Sequence, residues 1–306
     1  MCDWKQLVGL VVLLLLTLGM VSPTAIAAPQ TPDRLAIQAG VAAYAQTDYA
    51  QAAAAFSQAI EINPAAAVAY SNRCLVYLQL DEFSAAVSDC TQSLQLNPQL
   101  TEAYLNRGLA YYRIGQYGHA IADYQRLLQQ RPDDHRAHYN LGLAQAAMGE
   151  HVQALASYDL ALQHTAPEAA RSVVEIYRDR GASALMLKRY QAAVNDFTQV
   201  IALDSDNTQT YFNRACCYHH LQEYLLALQD FSRVLAAAPD HARAYLIRGL
   251  VHQQLGNRED AIADMQLAAH YFQAHHEFLA HDATVNLIET LQSEQRQNLE
   301  TATLAI

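Results

Sequence analysis

Histidines, cysteines and a recurring arginine–aspartate spacing are the residues of this chain whose chemistry could go beyond packing. Zinc held on one helix face needs histidines at i and i+4, about 40° apart around the axis. The closest fragment, His276-Glu277-Phe278-Leu279-Ala280-His281, spaces them by five, which turns the second ring roughly 140° away. His135 and His138 could share a face, but no carboxylate or third ligand accompanies them on it. No metal and no cofactor is expected. Nucleophile elbows, phosphate loops and dinucleotide fingerprints are missing from the sequence, so the chain is expected not to be an enzyme. Five arginines are each followed, 16 residues on, by an aspartate: Arg73/Asp89, Arg107/Asp123, Arg180/Asp196, Arg214/Asp230 and Arg248/Asp264.

That spacing belongs to a longer period. Asn63-Pro64, Asn97-Pro98 and Arg131-Pro132 recur every 34 residues, and Ser205 and Pro239 resume the register. Aligned on these points, seven units begin at Asp33, Ala67, Thr101, His135, Val174, Thr208 and Ala242, with the inserted residues 169–173 before the fifth. Position 20 is Ala in all seven units. Position 8 is small: Gly40, Cys74, Gly108, Gly142, Gly181, Ala215 and Gly249, which lets two helices approach closely. Tyrosines at position 4 and aromatics at position 24, among them Phe56, Tyr124, Tyr158, Phe197 and Phe231, read as core. The arginines stand at position 7 and the aspartates at position 23. The first and fourth units carry Ala39/Ala55 and Leu141/Ser157 instead, so the two columns vary together, and an ion pair within each hairpin is expected. Cys74 and Cys90 fall at positions 8 and 24 of one unit. A disulfide across them is open in an oxidising compartment, but the pair reads as two small buried hydrophobes.

This pattern of small, aromatic and terminal proline positions resembles the tetratricopeptide repeat family, from Asp33 to about His275. The resemblance implies an all-α fold: a right-handed superhelical α-solenoid of seven helix-turn-helix units, closed by an amphipathic capping helix over 276–297 and a frayed tail at 298–306. Units one to four would occupy 33–168 and units five to seven 169–275, with a slight bend at the insertion. Pro167 is expected to start a longer first helix in the fifth unit.

In that family the first helix of each hairpin lines a concave groove, and position 6 faces into it. The resemblance therefore implies an asparagine ladder of Asn72, Asn106, Asn140 and Asn213, whose amides can grip a peptide backbone by donor and acceptor alike. Arg113, Arg136, Arg178, Tyr112 and Tyr139 would line the same groove, leaving it less acidic than the chain as a whole. Ile37 and Val41 stand where the chaperone-binding members carry a Lys and an Asn, so a heat-shock co-chaperone role is not expected. The implied function is a protein-interaction scaffold that holds an extended peptide or helix of another protein. A self-associating structural repeat protein is the alternative.

The formal net charge of −11 disfavours nucleic acid as a partner. At the start, Lys5 precedes an apolar stretch from Leu7 to Met20 and a small-residue site at Ala25-Ile26-Ala27. The stretch is shorter than the roughly 20 residues a membrane span needs. Residues 1–27 therefore read as a signal peptide and 28–32 as a linker. The expected location is the periplasm or an equivalent lumen, with membrane contact only if the signal segment is retained.

Overall fold

The computed structural model describes residues 31–166 and 169–304, with side chains as far as 293. The expected signal peptide, most of the linker and Pro167 lie outside the described residues. Among the described residues there are fifteen helices and no strand. They divide into two compact units that meet between Gln153 and Ala154.

The first unit holds α1 (Pro32–Ala45), α2 (Tyr49–Ile62), α3 (Ala67–Gln79), α4 (Phe83–Leu96), α5 (Thr101–Arg113), α6 (Tyr117–Gln130), α7 (His135–Ala147) and the first turn of α8 (His151–His164). α1 packs on α2, α3 on α4 and α5 on α6, while α1, α3, α5 and α7 touch in succession as a layer of first helices. The second unit holds the rest of α8 with α9 (Ala170–Met186), α10 (Tyr190–Leu203), α11 (Thr208–His220), α12 (Tyr224–Ala237), α13 (Ala242–Gln254), α14 (Arg258–Ala274) and α15 (Phe278–Leu304). The division falls inside α8 and not at the inserted residues. Leu155, just past that division on α8, packs into the cluster around Ala184, Val194 and Phe197 of α9 and α10. The insertion goes into α9, at 17 residues longer than the 13 of α11 or α13. α15 packs on α14 and buries Ile288 and Leu291 against Met265, as a cap must. It runs on to Leu304, so helix continues where a frayed tail was expected.

Two columns of the repeat explain the close helix pairing. Ala52, Ala86, Ala120, Ala154, Ala193, Ala227 and Ala261 are all fully buried. At position 8 glycine makes room for the aromatic at position 24: a Cβ on Gly108 would stand 2.6 Å from the Tyr124 ring, and one on Gly40 the same distance from Phe56. In the second hairpin this glycine–aromatic pair is replaced by a disulfide between Cys74 and Cys90, whose Cα atoms are 5.5 Å apart. The reading of two reduced, buried hydrophobes is thereby corrected. Both residues depart from their columns together because the sulfurs fill the space that a ring fills elsewhere.

Position 15 of each unit sits in a left-handed turn. Gly115, Gly149 and Gly256 occupy it in three hairpins, but Thr47, Asp81, Lys188 and Gln222 adopt the same conformation with φ near 60° in the others. Left-handed backbone costs an L-residue about 1–2 kcal/mol, and a β-branched side chain is the least suited to it. Thr47→Gly is therefore expected to stabilise the first hairpin by about 1 kcal/mol, read as a higher urea midpoint at unchanged slope.

In all five hairpins that carry both residues, the position 7 guanidinium grips the position 23 carboxylate with two hydrogen bonds. Arg73 Nε and Nη2 donate to Asp89 at 2.6 and 2.9 Å, and Arg107 donates to Asp123 at 2.8 and 2.7 Å. Arg180, Arg214 and Arg248 repeat the arrangement on Asp196, Asp230 and Asp264. The Asp123 hydrogen bonds raise the Arg107 pKa despite burial. Each Nη1 also reaches back to position 25 of the preceding hairpin: Ser57, Thr91, Asp159, Thr198 and Ser232. Tyrosine rings flank the guanidinium, Tyr104 and Tyr111 lying 5.9 Å from Arg107. This clasp thus joins hairpins as well as helices. It is missing at the third-to-fourth joint, where position 25 is Gln125 and position 7 is Leu141.

Candidate peptide-binding face

The first-helix layer of the first unit carries Asn72 on α3, Asn106 on α5 and Asn140 on α7. Among the described residues none of these three amides has a hydrogen-bond partner. Asn106 is the most enclosed, with 9% of its surface exposed. Asn213, on α11 in the second unit, differs: its Oδ1 accepts a hydrogen bond from Gln209 Nε2 at 2.9 Å, one turn back on the same helix. The expected ladder therefore divides into three uncommitted amides on one unit and one engaged amide on the other.

Next to Asn140 lies a cavity of about 170 Å³ between α5, α6 and α7, lined by Leu109, Tyr112, Arg113, Tyr124, Asn140 and Leu143. Helical spacing builds it. Glu102, Asn106, Leu109 and Arg113 follow one stripe of α5, and Arg136, Asn140 and Leu143 follow one stripe of α7. Tyr124, almost completely buried, forms the floor, and burial pushes its phenol pKa well above the ordinary value. Tyr112 leans on Tyr117 with ring centroids 5.4 Å apart, and Tyr139 is half-buried on α7.

The three arginines expected to line this groove are all paired. Arg136 Nη2 donates to Glu102 Oε1 at 2.8 Å and to Asp134 Oδ2 at 2.9 Å. Burial works against the Arg136 charge, but those two carboxylates outweigh it and hold the pKa above the usual guanidinium value. Arg113 lies over the Phe83 ring at 4.6 Å and donates to Asp81 at 3.0 Å. Arg178, in the second unit, donates to the carboxylate of its neighbour Asp179 at 3.1 Å. Asp81, the partner of Arg113, comes from the turn of the preceding hairpin, and Asp134, a partner of Arg136, caps α7.

Among the described residues no group of three or more His, Cys, Asp or Glu side chains could hold a metal ion. His138 directs Nε2 to the Pro132 carbonyl at 2.7 Å, and His276 sits in the turn before α15 while His281 lies on that helix. The free thiols are shielded: burial pushes Cys216 and Cys217 up to about 12, far from a reactive thiolate at neutral pH. No helix among the described residues is long and apolar enough to cross a membrane.

Models described as tetratricopeptide repeat match residues 74–139 in one case and 37–100, 178–240 and 221–274 in another, the latter covering more than half of the chain. No curated protein matches the chain in sequence. Among solved structures, a tetratricopeptide repeat protein from Parabacteroides merdae superposes with a TM-score of 0.56 at 19% identity, over 83% of this chain and 98% of that one. YrrB, described as a TPR protein with an unusual peptide-binding site, gives 0.56 at 20% identity over 63% and 96%. Pseudomonas aeruginosa pilF gives 0.56 at 18% identity over 71% and 95%. With its 34-residue helical hairpins, its buried alanine column and its glycine–aromatic pairs, the chain belongs to the tetratricopeptide repeat family of protein-interaction scaffolds.

Proposed function

We propose that this protein binds an extended peptide segment of another protein across the first helices of its first unit, and performs no catalysis of its own. The observation that carries this reading is the run of three uncommitted amides on α3, α5 and α7, one of them nine-tenths buried. With no partner among the described side chains, these amides keep their hydrogen bonds for water or for a ligand. A peptide main chain supplies both an acceptor and a donor at each residue, so it satisfies such amides without requiring a particular side chain. The peptide-binding site named for YrrB is consistent with this use of the fold.

Asn72→Ala, Asn106→Ala and Asn140→Ala are each expected to weaken peptide binding by about fivefold, and the triple variant on the order of a hundredfold. Asn213→Ala should leave it unchanged, since that residue lies on the second unit and its Oδ1 already accepts from Gln209. Fluorescence polarisation with peptides selected from a random library measures this. Binding that survives the triple variant with helicity intact would rule the face out.

Export to the periplasm or a similar lumen belongs to the same proposal. Lys5, the apolar stretch from Leu7 to Met20 and the small residues at 25–27 support it, as does the Cys74–Cys90 disulfide, since such bonds persist in oxidising compartments. Fractionation of the native host, with the precursor and processed forms separated by mass, tests it. Full-length protein held in the cytoplasm would overturn it.

A further inference from the structure

We infer that the cavity between α5 and α7 is a specificity pocket that takes one apolar side chain of the bound peptide, Leu, Met or Phe, with an Asp or Glu beside it in the peptide sequence. This inference rests on the peptide-binding reading above and adds what the peptide must look like.

The volume sets the size of the guest. A cavity of about 170 Å³ is slightly larger than the roughly 150 Å³ hydrocarbon-lined void that accepts a benzene ring, so one phenyl or branched aliphatic group fits. The wall sets its polarity. Leu109 and Leu143 face the space from opposite helices over the Tyr124 ring, and apolar surface of this kind favours a hydrocarbon guest over water.

The rim identifies the guest as part of a peptide. Asn140 lines the cavity with its amide uncommitted, so a molecule that offered hydrocarbon alone would leave that group unmatched. A peptide residue offers both, a side chain for the cavity and its own main-chain groups for the amide. Asn106, one turn before Leu109 on α5, offers a second uncommitted amide for an adjoining peptide group.

Arg113 supplies the charge preference. It lines the same cavity, and the Phe83 face fixes its guanidinium. Its present partner, Asp81, has 68% of its side chain exposed, and an ion pair that open to solvent is weak because water screens it. A peptide carboxylate can therefore replace Asp81 at little cost. Leu109 and Arg113 are four residues apart, about 6 Å along the helix. That is within reach of the residue next to the anchored one, since extended chain advances about 3.3 Å per residue.

The test uses the full chain with its disulfide intact and a positional-scanning library of decapeptides with acetylated and amidated ends, which removes terminal charges. The expected result is selection of Leu, Met or Phe at one position with Asp or Glu adjacent. Replacing that apolar residue with Ala should weaken binding roughly tenfold or more. Leu143→Phe or Leu109→Phe, each filling the cavity, should abolish the difference between the apolar and Ala peptides. Arg113→Gln should abolish the acidic preference and leave the apolar one. Two variants that fill the space from opposite walls guard against misfolding of either, which far-UV circular dichroism detects. Peptides that bind through Asn106 and Asn140 but show no apolar preference, or one that both filled variants retain, overturn the pocket and leave the binding face standing. A library with no binder at all overturns both.

Discussion

Asp123→Ala is expected to destabilise the first unit by about 3–5 kcal/mol, while Arg107→Leu combined with it recovers most of the loss. The carboxylate is 7% exposed and accepts two hydrogen bonds from a guanidinium that is itself only 18% exposed. Removing the acid leaves a positive charge held between Tyr104 and Tyr111, with Thr91 as its remaining partner. Removing both charges leaves hydrocarbon against hydrocarbon. The chain already contains that arrangement in its first hairpin, where Ala39 and Ala55 stand at the same two positions. Urea unfolding of the two single variants and the double variant yields the coupling directly. Additive losses would show that the guanidinium and the carboxylate act independently.

Reducing the Cys74–Cys90 disulfide should cost about 3 kcal/mol, because the bond closes a loop of 16 residues that the unfolded chain would otherwise leave open. In a unit of this size that is a fall in melting temperature of roughly 10 °C. The repeat itself suggests the replacement. Cys74→Gly with Cys90→Tyr restores the pair seen at Gly108 and Tyr124, and this double variant should melt at the same temperature with and without reductant. Cys90→Tyr alone should be less stable than the double variant, since the Cys74 side chain would stand against the new ring. A wild-type protein indifferent to reductant would contradict the account.

Much of the fold was legible because its causes are periodic. A proline every 34 residues, an alanine at position 20 and a glycine facing an aromatic each repeat often enough to fix hairpin boundaries without coordinates. The Arg107/Asp123 type of pair was legible for another reason: the first and fourth units lose both members together. The left-handed turn was not, because Thr47, Asp81, Lys188 and Gln222 share a backbone conformation and no chemistry. The hydroxyls at position 25 left a trace that could have been followed. Ser57, Thr91, Thr198 and Ser232 precede hairpins with an arginine, and Gln125 precedes one without. The disulfide could have been read from two simultaneous departures, Cys74 in a glycine column and Cys90 in an aromatic one.

The candidate site was legible in part. Position 6 placed Asn72, Asn106, Asn140 and Asn213 alike, but sequence could not tell the three free amides from the one held by Gln209, since that depends on side-chain reach. Nor could it reveal the cavity, which is a remainder left between Leu109, Leu143 and the Tyr124 ring after everything else has packed.

The joint between the third and fourth hairpins lacks the position 7 clasp, since Leu141 stands where the arginine would. The ionic link between α5 and α7 is instead Arg136 to Glu102, whose carboxylate is half exposed. A seam without the clasp is expected to yield before the clasped ones, and the crevice opens along it. A guest entering there would meet Leu109 and Leu143 with no clasp to break, so on the proposed reading the grip is expected to adjust to side chains of different bulk without loosening the remainder of the stack.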